Sequence, residues 1–179
     1  MTELAAASDE RPPRRLTPFL PTRQHRRFVE FADAVRRHRY IGACYGAPGI
    51  GKTLSARTYA AAEDYDRWTQ DRFTRSAVLP EALLASRTAM LTPGITTTPR
   101  ELETQIINRC GLLDADIGRT LRPDISPELS PGSPVGLELL IIDLSRPSDY
   151  PEGVQRAALN RLLGWSFGVL QVSIIPRVR

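Results

Sequence analysis

Gly46-Ala47-Pro48-Gly49-Ile50-Gly51-Lys52-Thr53 is the stretch on which the reading of this chain turns. It fits G-x-x-x-x-G-K-[ST], a loop that joins a strand to a helix and cradles phosphate. Successive backbone N–H groups form an anion-binding nest, and glycines let that backbone close around a phosphate. The helix that follows points its positive dipole end at the same place. In such a loop Lys52 reaches the β- and γ-phosphates, and the Thr53 hydroxyl ligates Mg²⁺. A chance match in a chain of this length has odds of roughly one in a hundred.

The flanks agree with the motif. Tyr40-Ile41-Gly42-Ala43-Cys44-Tyr45 is a short apolar run of the kind a buried strand shows. Residues 54–62 are rich in Ala with Leu and Arg, and predict the helix the motif requires. Lys52 is moreover the only lysine, so every other fixed positive side chain is an arginine. A compact point charge suits a phosphate in a way a planar guanidinium does not.

At 179 residues, 41% hydrophobic and 25% charged, the chain suits one soluble domain with a sizeable core. No run approaches 18 apolar residues and the N-terminus lacks a signal peptide's apolar centre, so the expected location is the cytoplasm, with no membrane partner. Cys44 and Cys110 read as buried free thiols rather than a disulfide or a metal site. A net charge of +4 and a pI near 9.5, with basic residues gathered near the N-terminus, make nucleic acid a partner to consider.

Residues 1–21 hold Asp9, Glu10 and Arg11, then Pro12-Pro13-Arg14-Arg15, with Pro18 and Pro21 beyond, and predict a disordered or extended basic arm. A helix is expected over 22–39: Thr22 can cap it, and Phe28, Phe31, Ala32 and Val35 recur at helical spacing. Arg23, Arg26, Arg27, Arg36, Arg37 and Arg39 cover its remainder against Glu30 and Asp33 alone. Two readings stay open, a solvated face whose last-turn arginines complement the helix dipole and a surface for a phosphate backbone.

Residues 63–75 are polar and aromatic, with Trp68 and Phe73, and give no clean period. Ala89-Met90-Leu91-Thr92 predicts a strand closed by Pro93-Gly94. Thr98, Pro99 and Glu101 form a capping box, starting a helix through Leu102, Ile106 and Ile107 to Cys110, with Gly111 expected to stop it. Pro123, Pro127, Pro131 and Pro134 mark 121–134 as a loop. Leu137-Glu138-Leu139-Leu140-Ile141-Ile142-Asp143 is an apolar run ending in Asp, the form in which a buried parallel strand delivers a carboxylate to Mg²⁺.

Several stretches together resemble one family. Leu20-Pro21-Thr22-Arg23-Gln24-His25, the Arg-rich helix, Tyr40-Ile41-Gly42, the run from Tyr45 through the phosphate loop to Leu54-Ser55-Ala56-Arg57, and Thr98-Pro99-Arg100 are similar to the TniB-type ATP-binding transposition proteins. These are AAA+ ATPases related to the transposition protein MuB, and the likeness covers residues 17–143. The resemblance implies an α/β fold, the parallel-sheet phosphate-loop NTPase domain of AAA+ type, over 22–143. It also implies ATP and Mg²⁺ as cofactors, ATP-dependent binding of double-stranded DNA without sequence preference, self-assembly on it as a homo-oligomer, and recruitment of a transposase. Gly46, Ala47, Pro48, Gly49, Ile50, Gly51, Lys52 and Thr53 would then hold the nucleotide, and Thr53 with Asp143 the metal.

After Asp143 the family pattern stops. Its members usually continue with a Glu that orients the attacking water and then Ala-Asp-Arg, where this chain has Leu144-Ser145-Arg146-Pro147-Ser148. No residue is therefore assigned as catalytic base. With suitable codons, Ser145-Arg146-Pro147-Ser148-Asp149 read one nucleotide out of frame gives Ala-Asp-Arg-Leu. On that reading 144–179 is a divergent, non-native tail, and the domain is incomplete, ending before the strand that bears a polar sensor and before the helical lid. The alternative is a native helix over 152–165 and a native strand over 169–175. Two further functional readings accompany the first: a nucleotide-gated DNA-binding adaptor or inactive remnant without hydrolysis, and a phosphate-loop small-molecule kinase.

Overall fold

The computed structural model describes residues 19–72, 78–94, 96–122, 136–144 and 168–174. Of the arm expected over 1–21, all but the last three residues lie outside these, as do most of the expected 121–134 loop and the helix expected over 152–165. The elements run α1 (Arg23–His38), β1 (Ile41–Gly46), α2 (Lys52–Tyr59), α3 (Ala62–Arg72), α4 (Glu81–Ser86), β2 (Thr88–Leu91), α5 (Pro99–Leu121), β3 (Leu139–Leu144) and β4 (Gly168–Ile174). The architecture is α/β: four parallel strands in the spatial order β1-β4-β3-β2.

Helices cover both faces of the sheet at β2 and β3, which is why these two read as unbroken apolar runs, whereas Ile41, Ala43 and Tyr45 leave one face of β1 exposed. Alternation along β3 sorts the two cores. Leu139 and Ile141, with Met90 of β2, pack under Phe28, Ala32 and Val35 of α1, Ala56 of α2 and Ala60 at its C-cap. Leu140, Ile142 and Leu144 pack against Tyr65 and Trp68 of α3, Leu83 of α4 and the Leu102, Ile106, Cys110, Leu113, Ile117 stripe of α5. Glycine at position 42 lets α1 lie directly on β1, since a Cβ there would stand 2.5 Å from Val35 Cγ2 and 2.9 Å from Phe31 Cζ.

Both caps expected from sequence are present. The Thr22 hydroxyl accepts from the His25 N–H at 3.1 Å. Glu101 N–H donates to Thr98 Oγ1 while the Thr98 N–H donates to Glu101 Oε2 at 2.8 Å, closing the capping box. That bond to the backbone, foremost, holds the Glu101 carboxyl below its usual range.

Three expectations need correcting. Gly111 does not end α5, which runs on to Leu121 because Leu113 and Ile117 continue the buried stripe; their burial outweighs the roughly 1 kcal/mol that glycine costs inside a helix. The helix expected over 54–62 ends at Tyr59, where Ala61 at φ 49° turns the chain into a second helix. That second helix, α3, occupies most of 63–75, where no period was visible; its apolar face is only Ala62, Tyr65 and Trp68. Beyond Asp143, β4 lies in the sheet between β1 and β3, within the stretch where the alternative reading of the tail expects a strand over 169–175.

Among the described residues no helix is long and apolar enough to cross a membrane. Cys110 is a buried free thiol, pushed up to about 12 mainly by burial, and Cys44 is a half-buried one.

Candidate functional site: the loop after β1 and the carboxylate of β3

In a parallel sheet all carboxyl ends of the strands share one edge, and the crevice outside that edge is where such folds take ligands. The 46–53 segment leaves β1 at that edge and enters α2 directly. Gly49 and Gly51 sit at φ 82° and φ 85°. A Cβ at either would touch nothing within 4 Å, so backbone conformation, not lack of space, demands glycine there. Gly51 is also the N-cap of α2 and brings no side chain to cap it, and the first turn carries no acidic residue. The positive end of α2 thus opens onto the loop.

Lys52 is the first residue of α2 and is buried, at 8% exposure. Its Nζ donates to the carbonyl oxygens of Gly46 and Ala47, both at 2.9 Å. The ammonium is therefore held over the mouth of its own loop, where an incoming anion would exchange for those two carbonyls. Ala47, Pro48 and Ile50 form the exposed outer rim, and Thr53 follows half-buried on the first turn of α2.

Asp143 is the penultimate residue of β3 and 1% exposed. Strand register fixes its distance from the loop: Asp143 and Cys44 both pair with Val172 of β4, so all three share one row across the sheet. With strands about 4.8 Å apart, the Asp143 Cα lies about 10 Å from that of Cys44, two residues short of the loop. Asp143 is on the sheet face that carries α1 and α2, by alternation with Ile141. Leu144 points the other way, 1% exposed in the core beneath α5. Position 144, read from sequence as the empty place of a catalytic Glu, is thus a core position here.

A feature not anticipated from sequence adjoins the loop. A cleft of about 280 Å³ lies between α1 and the carboxyl end of β1, lined by Gln24, Arg27, Phe28 and Phe31 on one side and by Cys44, Tyr45, Ile50, Lys52 and Ser55 on the other. Phe31, counted with the core stripe of α1, is half-buried and belongs to this cleft. The Cys44 thiol is raised by burial, an effect the Lys52 charge partly offsets. The visible signal was the i, i+3, i+4, i+7 run Gln24, Arg27, Phe28, Phe31, which only the docking of α1 turns toward β1.

The arginines of α1 divide. Arg36 is tied inward, donating to Ser86 O at 3.3 Å and paired with Asp33 and Glu138 at 3.8 and 3.6 Å. Arg23, Arg26, Arg27, Arg37 and Arg39 are exposed. Among the described residues no three His, Cys, Asp or Glu side chains gather into a metal cluster.

Comparison with known proteins returns one short likeness of note. Over 41 residues the chain is 56% identical to a potential ATP-binding protein of Staphylococcus aureus. The match spans 23% of this chain and 15% of that protein. No protein-family model matches the chain.

Proposed function

We propose that the chain is a phosphate-loop NTPase-type protein of the AAA+ class that binds ATP with Mg²⁺ through residues 46–53 and Asp143, and that it serves DNA transposition. The observation that carries the nucleotide reading is Lys52, buried yet held at the loop mouth by two backbone carbonyls, between two left-handed glycines and an uncapped helix start. The short likeness to a potential ATP-binding protein supports the same reading.

In this reading the backbone N–H groups of Gly49, Ile50, Gly51, Lys52 and Thr53 receive phosphate oxygens, and the Lys52 ammonium leaves the Gly46 and Ala47 carbonyls for the β- and γ-phosphates. The Thr53 hydroxyl and the Asp143 carboxylate are hard oxygen donors, the kind Mg²⁺ takes beside substrate phosphates, so the residues present fit that ion. The metal would neutralise phosphate charge. The exposed arginines of α1 would meet the phosphates of double-stranded DNA, and a transposase and further copies of the chain would be its protein partners.

Turnover is a separate matter. Hydrolysis needs a polar group to orient the attacking water, and the residue after Asp143 is a leucine sealed in the core. That observation favours a second reading, a nucleotide-gated DNA-binding adaptor without hydrolysis.

Two measurements test the proposal. Lys52→Ala should abolish binding of Mg-ATP in an equilibrium titration while leaving the far-ultraviolet circular dichroism spectrum unchanged; equal affinity in variant and parent refutes the loop assignment. Binding to DNA should be independent of sequence and should weaken steeply with salt. Replacing Arg23, Arg26, Arg37 and Arg39 by Gln should flatten the slope of log affinity against log salt by about 0.9 for each DNA phosphate left without its arginine. An unchanged slope returns α1 to a solvated face.

A further inference from the structure

We infer that the carboxyl end of α1 is a site for single-stranded DNA, in which an unpaired base stacks on the ring pair of His38 and Tyr40 and the phosphates beside it meet Arg37 and Arg39. This rests on the DNA reading of α1 above. It adds where on the helix the strand lies, and a form of DNA that arginines alone would not distinguish.

Exposure and charge are the first ground. Arg37, His38, Arg39 and Tyr40 are consecutive and all exposed, Tyr40 at 41%. Among the described residues no carboxylate pairs with Arg37 or Arg39, whereas their neighbour Arg36 is engaged by Asp33 and Glu138. Arg39 caps the helix at φ 54°, a left-handed conformation where glycine or asparagine is usual, so this cation is kept against backbone preference.

The rings are the second ground. His38 and Tyr40 lie nearly parallel, at an interplanar angle of 11° with centroids 6.0 Å apart. A helix dipole accounts for cations in the last turn and gives no reason for an exposed ring pair among them. Bases stack on such rings whatever their sequence, and neighbouring cations track the phosphates, which is how single strands are held without sequence preference. In a closed duplex each base is already stacked and paired, so the ring pair cannot reach its face.

Placement is the third ground. Arg36 braces this end of α1, donating to Ser86 O at 3.3 Å and paired with Glu138 at 3.6 Å, so the platform is held before a ligand arrives. Tyr40 precedes β1 and the 46–53 loop follows it. The two therefore lie at opposite edges of the sheet, about 20 Å apart at roughly 3.3 Å per residue. A DNA strand here and a phosphate ligand on the loop occupy separate places.

The test uses the full chain and fluorescence anisotropy with three probes: an oligothymidine of about 15 nucleotides, an abasic strand of the same length, and a duplex closed by a hairpin at both ends. Oligothymidine should bind more tightly than the abasic strand by roughly 5- to 150-fold, the range that stacking one base commands. Tyr40→Ala should remove that difference and leave the abasic strand and the duplex as they were, while Tyr40→Phe should keep it. Replacing Arg37 and Arg39 by Gln should flatten the salt slope for the abasic strand by about 0.7 for each phosphate released. Saturating tripolyphosphate should leave the affinity for oligothymidine unchanged.

A measurement on the unaltered chain covers the case of a variant that misfolds. Photocrosslinking to an oligothymidine carrying iododeoxyuridine, read by mass spectrometry, should mark His38 or Tyr40. If oligothymidine binds no more tightly than the abasic strand, if its advantage survives Tyr40→Ala, or if crosslinks fall only elsewhere, the stacking site is overturned and the duplex reading of α1 stands. Competition by tripolyphosphate puts the strand on the 46–53 loop and overturns the site as well. Oligouridine bound much more tightly than oligothymidine overturns the choice of DNA. If neither single strand nor duplex binds, the DNA reading of α1 falls and this one with it.

Discussion

Replacing Leu144 by Glu introduces the residue type that follows this Asp in the proteins the sequence resembles, and the structure says the change unfolds the protein instead of activating it. Leu144 is 1% exposed and packed with Leu140, Ile142 and the α5 stripe. Removing such a leucine costs about 2–5 kcal/mol through lost burial and the cavity left behind. A carboxyl in its place adds a second cost. Burial of this depth raises a glutamate to about 8 against about 4.3 in the unfolded chain. An acid whose folded pKa is raised destabilises more as pH climbs from the unfolded value toward the folded one. The added penalty is thus about 1 kcal/mol at pH 5 and about 4 kcal/mol at pH 7. Together these approach the whole stability of an ordinary domain, about 5–15 kcal/mol. Urea unfolding followed by tryptophan fluorescence is a suitable assay, because Trp68 lies in the same core. Leu144→Met should stay within about 1.5 kcal/mol of the parent. Leu144→Glu should be largely unfolded at neutral pH and partly recover at pH 5. A Leu144→Glu protein as stable as the parent at both pH values would refute this, and would put side chain 144 toward the loop, where a base could act.

Two further expectations concern stability alone. Gly111→Ala should stabilise the protein by about 0.5–1 kcal/mol in thermal or urea unfolding, because the position is helical and a Cβ there meets nothing within 4 Å; destabilisation would mean that α5 breaks at residue 111 after all. Tyr59 is raised above its ordinary value, first by burial and then by the bond its hydroxyl donates to Asp33 Oδ1 at 2.6 Å. Its contribution is complete below about pH 10 and is lost as pH rises toward the raised folded value, so the stability gap between parent and Tyr59→Phe, about 1 kcal/mol at pH 8, should shrink in urea titrations at pH 11.

Local signals carried well from sequence to structure, and non-local ones did not. The loop, both threonine caps and the strand that carries Asp143 depend on a few neighbouring residues whose chemistry admits one arrangement. Gly111 misled because propensity is a local term of about 1 kcal/mol, while the stripe through Leu113 and Ile117 gains its energy from partners elsewhere in the chain. The helix α3 hid because two aromatic residues suffice to seat it, too few to show a period. The orientation of Leu144 followed from strand alternation once Ile142 was known to face α5, which sequence alone leaves open. The cleft was invisible for a related reason. Its two walls, α1 and β1, are neighbours in the chain, yet only the close approach over Gly42 fixes the gap between them.

The placement of β4 has a bearing on when this molecule becomes competent. The strand that bears the loop and the strand that bears Asp143 each hydrogen-bond to β4, and β2 is the other neighbour of β3. During synthesis the loop, its helix and the carboxylate strand all leave the ribosome before residue 168 does. Until then the two halves of the candidate site have no ladder between them, and a loop of 128 residues, from Ile41 to its partner Val169, must be closed to join them, a slow kind of step in folding. On the proposed reading, nucleotide affinity should therefore arise only once β4 has slid in between β1 and β3.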